Sequence, residues 1–155
     1  MTGLPDHAMA VLDGQDLESK IGQTFLLATT DDEGWPHVAF LSVGEVRASS
    51  PTRVGLSLHR GTGSARAFAR SGRALLVLRS ADAPIRCRLR LRRAVSGSQD
   101  FPDLTAFDTS VERCREDRVP YATVDSWIEH ALADPEEVLI RWESQIRWLE
   151  EQLRD

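Results

Sequence analysis

The chain predicts a mainly β fold, an antiparallel sheet with flanking helices, and three observations carry that reading. Short apolar runs are joined by turns too brief for the crossover that parallel strands need. Residues 85 to 92 alternate one for one between apolar side chains and arginine, a period that suits an extended strand and not a helix. An amphipathic helix with a clear start closes the sequence. At 155 residues there is room for one core that buries about 70% of the unfolded surface, so 1–155 reads as a single domain.

The elements follow in order. Residues 1–21 form an N-terminal segment with a short helix around "HAMAVLDGQDLESKI". The stretch "TFLLATTDDEGWPHVAFLSVGEV" reads as strand, turn and strand, with Asp31, Asp32, Glu33 and Gly34 supplying the turn and Pro36 opening the second strand. "ASSPT" then leads into "RVGLSLH" as a second hairpin. A glycine-bearing turn opens a short helix on which Ala65, Phe68 and Ala69 face the sheet and Gly72 is the stop. "RALLVLR" has the length of a strand. Next, Ile85, Cys87, Leu89 and Leu91 point one way and Arg86, Arg88, Arg90 and Arg92 the other. Residues 104–116 leave two options, because Leu104, Phe107, Val111 and Cys114 fit a helical stripe while the Thr, Phe and Val content fits a strand. The last helix spans 134–153, with Asp134 as N-cap, Pro135 at its first position and Glu136 and Glu137 in its first turn. Leu139, Trp142, Ile146, Leu149 and Leu153 make its apolar seam, with Trp142 expected in the core.

Composition narrows the function classes. With 41% apolar and 28% charged residues and no apolar run near the 20 or so that a membrane span requires, the chain reads as globular without a membrane role. Its start lacks a cationic region ahead of an apolar core, so a cytoplasmic location is the default expectation. Cys87 and Cys114 stand far apart with no second thiol at ligand spacing, and we expect two reduced, buried cysteines and no metal site. Net charge is −5, yet residues 47 to 93 hold 12 arginines against one acid, Asp82. That basic middle carries one aromatic, Phe68, which argues against nucleic acid as the partner. His7 and His130 read as surface residues and His37 as a strand-end histidine. No nucleophile elbow and no carboxylate pair in an apolar setting is visible, so hydrolase chemistry lacks support and no catalytic residue can be named.

The turn "HRGTGSARAFARSG" is the strongest functional signal. Gly61 and Gly63 permit close approach, and Thr62 and Ser64 offer hydroxyls where a helix with unpaired amides begins, an arrangement suited to a phosphate. Arg60 and Arg66 flank it. The same residues would serve equally as an ordinary helix cap, and spacing does not separate the two. A nucleotide-binding loop of the Walker type lacks its lysine, and a dinucleotide fingerprint would need glycine where Arg66 stands.

The ordered set "GWP" at 34–36, this turn, "SGRA" at 71–74 and the arginine-alternating strand resembles the pyridoxamine 5'-phosphate oxidase-like family of FMN-binding split barrels. The resemblance implies an antiparallel split β-barrel over 22–116, a strand over 104–116, and a homodimer with flavin in the cleft between barrels. It implies FMN as cofactor, with deazaflavin as the variant. It places the phosphate at His59, Arg60, Thr62, Gly63 and Ser64 and the ring along Phe40, Leu41, Ser42, Val43 and Gly44 beside Ser57 and Leu58. The implied activity is oxidoreduction of a small molecule. The alternatives are a non-enzymatic flavin, deazaflavin or haem binder, and an interaction dimer. The acidic C-terminal helix stands where the oxidase has a basic phosphate-gripping region, which argues against pyridoxamine phosphate oxidation itself.

Overall fold

The computed structural model describes residues 2–155. Seven strands, β1 (Phe25–Thr30), β2 (Pro36–Leu41), β3 (Val46–Ser50), β4 (Arg53–His59), β5 (Arg73–Ser80), β6 (Ala83–Ser96) and β7 (Leu104–Glu116), form one sheet in the order β2-β1-β5-β6-β7-β4-β3. Every neighbouring pair is antiparallel. The helices are α1 (Asp6–Val11), α2 (Gly63–Ser71) and α3 (Pro135–Gln152). Residues 104–116 are therefore strand, and the arrangement is the antiparallel split barrel with a C-terminal helix.

Chain connectivity rolls the sheet up. The two edge strands, β2 and β3, lie at opposite ends of the strand order, yet only Ser42, Val43, Gly44 and Glu45 join them. A link of that length reaches no more than about 17 Å, and here it is tightened into a turn by the Glu45 amide donating to the Ser42 carbonyl at 3.1 Å. The edges must meet, and the split lies between them. α3 is seated on this link: Trp142, 3% exposed, lies so close to Gly44 that a Cβ built there would sit 2.1 Å from the indole.

The interior is apolar, with Phe25, Leu27, Leu56, Phe68, Leu76, Leu78, Ile85 and Phe107 buried. β6 alternates as expected from Ile85 to Leu91, and Trp142, Ile146, Leu149 and Leu153 of the α3 seam are buried. On α2 the buried residues are Ser64, Ala65, Ala67 and Phe68; Ala69, expected to face the sheet, is exposed, and Ala67 takes the inward position two residues earlier. The outer face is graded. One row across the sheet pairs Val38, Ala28, Leu75, Arg88 and Arg113, and the next pairs Phe40, Leu26, Val77, Arg86 and Arg115. Each row runs from three apolar residues to two arginines.

One expectation is overturned. Cys87 and Cys114 face each other across β6 and β7, with Cα atoms 4.2 Å apart, and form a disulfide. Sequence spacing hid this, because strand pairing brings residues 27 apart into register. Closing a loop of that length removes denatured-state entropy equivalent to about 3.5 kcal/mol. Denatured without reductant, the chain is expected to take up no iodoacetamide; with reductant both thiols label, and the urea midpoint falls by the equivalent of about 3 kcal/mol. Mass spectrometry and a denaturation curve check this, and labelling without reductant would contradict it.

Candidate functional site

A cavity of about 440 Å³ opens at the split, lined by β2, β4, the start of α2, residues 100–104 and α3. One end holds His59, Thr62 and Ser64, the middle Phe40, Leu41, Leu58 and Leu104, and the other end Glu45, Ser57, Arg141 and Gln145.

The α2 end is built for an anion. The Thr62 hydroxyl accepts from the Ala65 amide at 3.2 Å and donates to the His59 carbonyl at 2.9 Å, so Thr62 is the N-cap. Cap and anion site coexist here, because the Gly63 and Ser64 amides keep no acceptor among the described residues. Beside them the Ser64 hydroxyl is buried, 3% exposed, and without a hydrogen-bond partner. A buried orphan hydroxyl costs about 1–3 kcal/mol, a cost that a bound acceptor removes. The flanking arginines do not share this end. Arg66 folds back to donate to the Gly61 carbonyl, and Arg60 is exposed and absent from the cavity wall.

The far end depends on contacts between residues distant in sequence. Gln145 Nε2 donates to Ser57 Oγ at 3.2 Å in the buried interior. Glu45 Oε2 accepts from the Ser42 amide at 3.1 Å. Burial pushes the Glu45 carboxyl above its usual range, against the Ser42 hydrogen bonds and the Arg141 charge that favour its ionised form. The cavity thus offers hydrogen-bond donors for an anion at one pole, an apolar middle, and an amide, a guanidinium and an acid at the other.

The residues singled out from sequence distribute unevenly. Phe40, Leu41, Ser57, Leu58, His59, Thr62 and Ser64 line the cavity. Ser42 lines an adjoining one. Val43 is turned into the core at 2% exposure, Gly44 lies under Trp142, and Gly63 packs near the His37 ring, leaving its amide as its contribution. His7 is exposed, as expected, whereas His130 is half-buried, and both have polar neighbours. His7 contacts Ser80 Oγ and lies 3.2 Å from Glu116 Oε1, while His130 Nδ1 is 2.9 Å from Thr24 Oγ1. The strand and tail that carry these partners are far away in sequence. Glu45, Arg141 and Gln145 escaped the sequence reading. Glu45 carried a signal, as a lone acid within "HVAFLSVGEV", and so did Gln145, as an uncharged polar residue on the inward side of α3 between Trp142 and Trp148.

Comparison with solved structures agrees with the architecture. A Lactobacillus delbrueckii protein, provisionally assigned as a pyridoxamine 5'-phosphate oxidase, superposes with a TM-score of 0.58 at 13% identity, covering 74% of this chain and 95% of its own. An FMN-binding protein from Syntrophomonas wolfei gives 0.54 at 11% identity, covering 74% and 89%. The chain therefore has the split-barrel fold of the pyridoxamine 5'-phosphate oxidase-like and FMN-binding proteins. It is also similar to the uncharacterised protein YclD of Bacillus subtilis, with 29% identity over 143 residues, covering 92% of this chain and 93% of that one. No model of a protein family matches it. Among the described residues no helix is long and apolar enough to cross a membrane.

Because burial raises the Glu45 pKa above its ordinary value of 4.5, folding favours its protonated form. Its ionisation opposes folding, so stability is lost as pH rises from 4.5 through the raised folded-state value. Glu45→Gln should therefore melt higher than the parent protein at pH 7.5 and together with it at pH 4. Differential scanning calorimetry at the two pH values measures this; an equal or lower melting temperature at pH 7.5 contradicts it.

Proposed function

We propose that the cavity holds FMN, with its phosphate on the Gly63 and Ser64 amides and the Ser64 hydroxyl, and that the protein is a flavin-dependent oxidoreductase acting on a small organic molecule. The observation that carries this reading is the buried, unpartnered Ser64 hydroxyl beside two unpaired helix amides. The site residues present fit the group: donors at one pole suit a phosphate, the apolar middle suits a ring, and the far pole suits its polar edge. The name of the Syntrophomonas protein supports FMN as the ligand of this fold. When bound, a flavin supplies two-electron redox chemistry; the chain supplies binding, orientation and exclusion of water. Gln145 holds the Ser57 hydroxyl in position, and Glu45, whose pKa burial raises, is the group placed to hand over or take up a proton at that pole.

The protein is proposed to act as a homodimer through the apolar part of the outer face. Phe40 is 64% exposed and Val38 47%, next to half-buried Leu26, Leu75 and Val77, and a contiguous apolar patch bordered by arginines marks an interface. Val77→Glu places a charge in its middle and should shift the sedimentation coefficient from dimer to monomer at micromolar concentration without altering the circular dichroism; an unchanged coefficient contradicts the interface.

FMN titration tests the cofactor. Ser64→Ala should weaken FMN by about tenfold to a hundredfold, the loss of one charge-assisted hydrogen bond, and leave riboflavin, which lacks the phosphate, unaffected. Equal loss for both flavins would move the phosphate elsewhere, and a protein that binds neither would end the reading.

A further inference from the structure

A second cavity, of about 360 Å³, adjoins the first and shares a wall with it at Phe40, Leu41, Glu45 and Arg141. Residues 128–132, α3 and the β2–β3 link line it, and the flavin reading leaves its remaining wall, Ile128, His130, Leu132 and Val138, without a role. Its body is apolar, from Ile128, Leu132, Val138 and Trp142.

Thr24, Ser42, Glu45, Glu129, His130 and Arg141 interrupt that lining; among them His130 Nε2 lacks a partner, and Ser42 Oγ has only the Glu45 carboxylate beside it. Ser42 Oγ is buried in a residue 6% exposed, its backbone amide occupied by Glu45 and its carbonyl by the Glu45 amide. His130 Nε2 is equally inaccessible to solvent and unpaired. The His130 ring is held rather than loose. Its Nδ1 meets Thr24 Oγ1 at 2.9 Å, its amide donates to the Gly22 carbonyl at 3.1 Å, and its edge lies on Trp142 with ring centroids 6.3 Å apart at 85°. A fixed imidazole with one nitrogen unpartnered is costly in an apolar wall unless something hydrogen-bonds to it.

We propose that this cavity is a binding site for a flat aromatic compound bearing carbonyl or hydroxyl oxygens, taken with its ring among Ile128, Leu132, Val138 and Trp142 and its oxygens on Ser42 Oγ and His130 Nε2. The volume admits a two-ring molecule, and the pairing of an apolar body with two fixed polar groups selects ring oxygens over alkyl chains. The shared wall sets the bound ring against the neighbouring cavity, with the Glu45 acid between them. Binding does not require a flavin next door, so the two readings stand or fall separately.

Calorimetric titration of the full chain, without added flavin, uses menadione as the probe. One saturable site per chain is expected. His130→Ala and Ser42→Ala should each weaken it about tenfold, and Val138→Phe, which fills the cavity from the first turns of α3, by more. Circular dichroism of each variant, and the FMN titration of His130→Ala and Val138→Phe, serve as folding controls and should match the parent. Absence of saturable binding overturns the proposal. So does binding that survives Val138→Phe in a folded variant, and so does menadione that FMN displaces from a site insensitive to all three substitutions, since that places it in the first cavity.

Discussion

The contact between Trp142 and Gly44 governs the geometry of everything functional in this protein. A seven-stranded sheet whose edge strands are joined by four residues has to curl, but curling alone leaves an open seam. The missing side chain at position 44 lets an indole settle directly on the link, and with it comes the helix that carries Arg141 and Gln145. Any side chain at position 44 would overlap the indole, so the helix would have to lift. The donor from Gln145 to Ser57 and the charge near Glu45 would be withdrawn together. Packing and site chemistry are thus one problem solved at a single small residue.

The two poles of the main cavity are made differently. At the α2 end, donors come from local backbone geometry: Thr62 caps one amide, and the geometry that lets it do so leaves Gly63 and Ser64 pointing outward. Arginines are nearby but engaged or exposed, so selection there rests on amides and a hydroxyl, which favour an anion by direction more than by net charge. At the α3 end, the groups arrive from a helix about 85 residues further along and are held by burial. Burial raises the Glu45 pKa and so favours its protonated form relative to an ordinary surface acid.

This division explains what was legible in the sequence. Local patterns could be read: the alternation in β6, the caps of α2 and α3, and the hairpin turns are set by residues within a few positions of one another. β7 was ambiguous because its first half is buried on both faces, with Phe107 stacked on Phe68 at 5.1 Å, so no alternation survives to distinguish strand from helix. Long-range pairings left almost no trace. Cys87 meets Cys114 only through the register of β6 on β7, His130 meets Thr24 across more than 100 positions, and Glu45 acquires its character from a helix whose inward face shows no functional motif. The turn at 61–64 could be identified as a candidate, but which hydroxyl caps and which stays unsatisfied is decided by burial that sequence does not display.

The graded rows on the outer face constrain how two copies can meet. Two-fold pairing presents each patch to itself in reverse, so the position of the axis decides which strand meets which. An axis through β1 lays the Val38 and Phe40 edge over the partner's Leu75 and Val77 and carries both arginine columns past the overlap, to opposite flanks. In the proposed dimer, sliding the axis one strand toward β5 sets Arg86 and Arg88 against Leu26 and Ala28, desolvating the Arg86–Asp117 ion pair and the Arg88 guanidinium against apolar side chains. The cations therefore contribute no attraction, yet they determine alignment by penalising every slip in one direction.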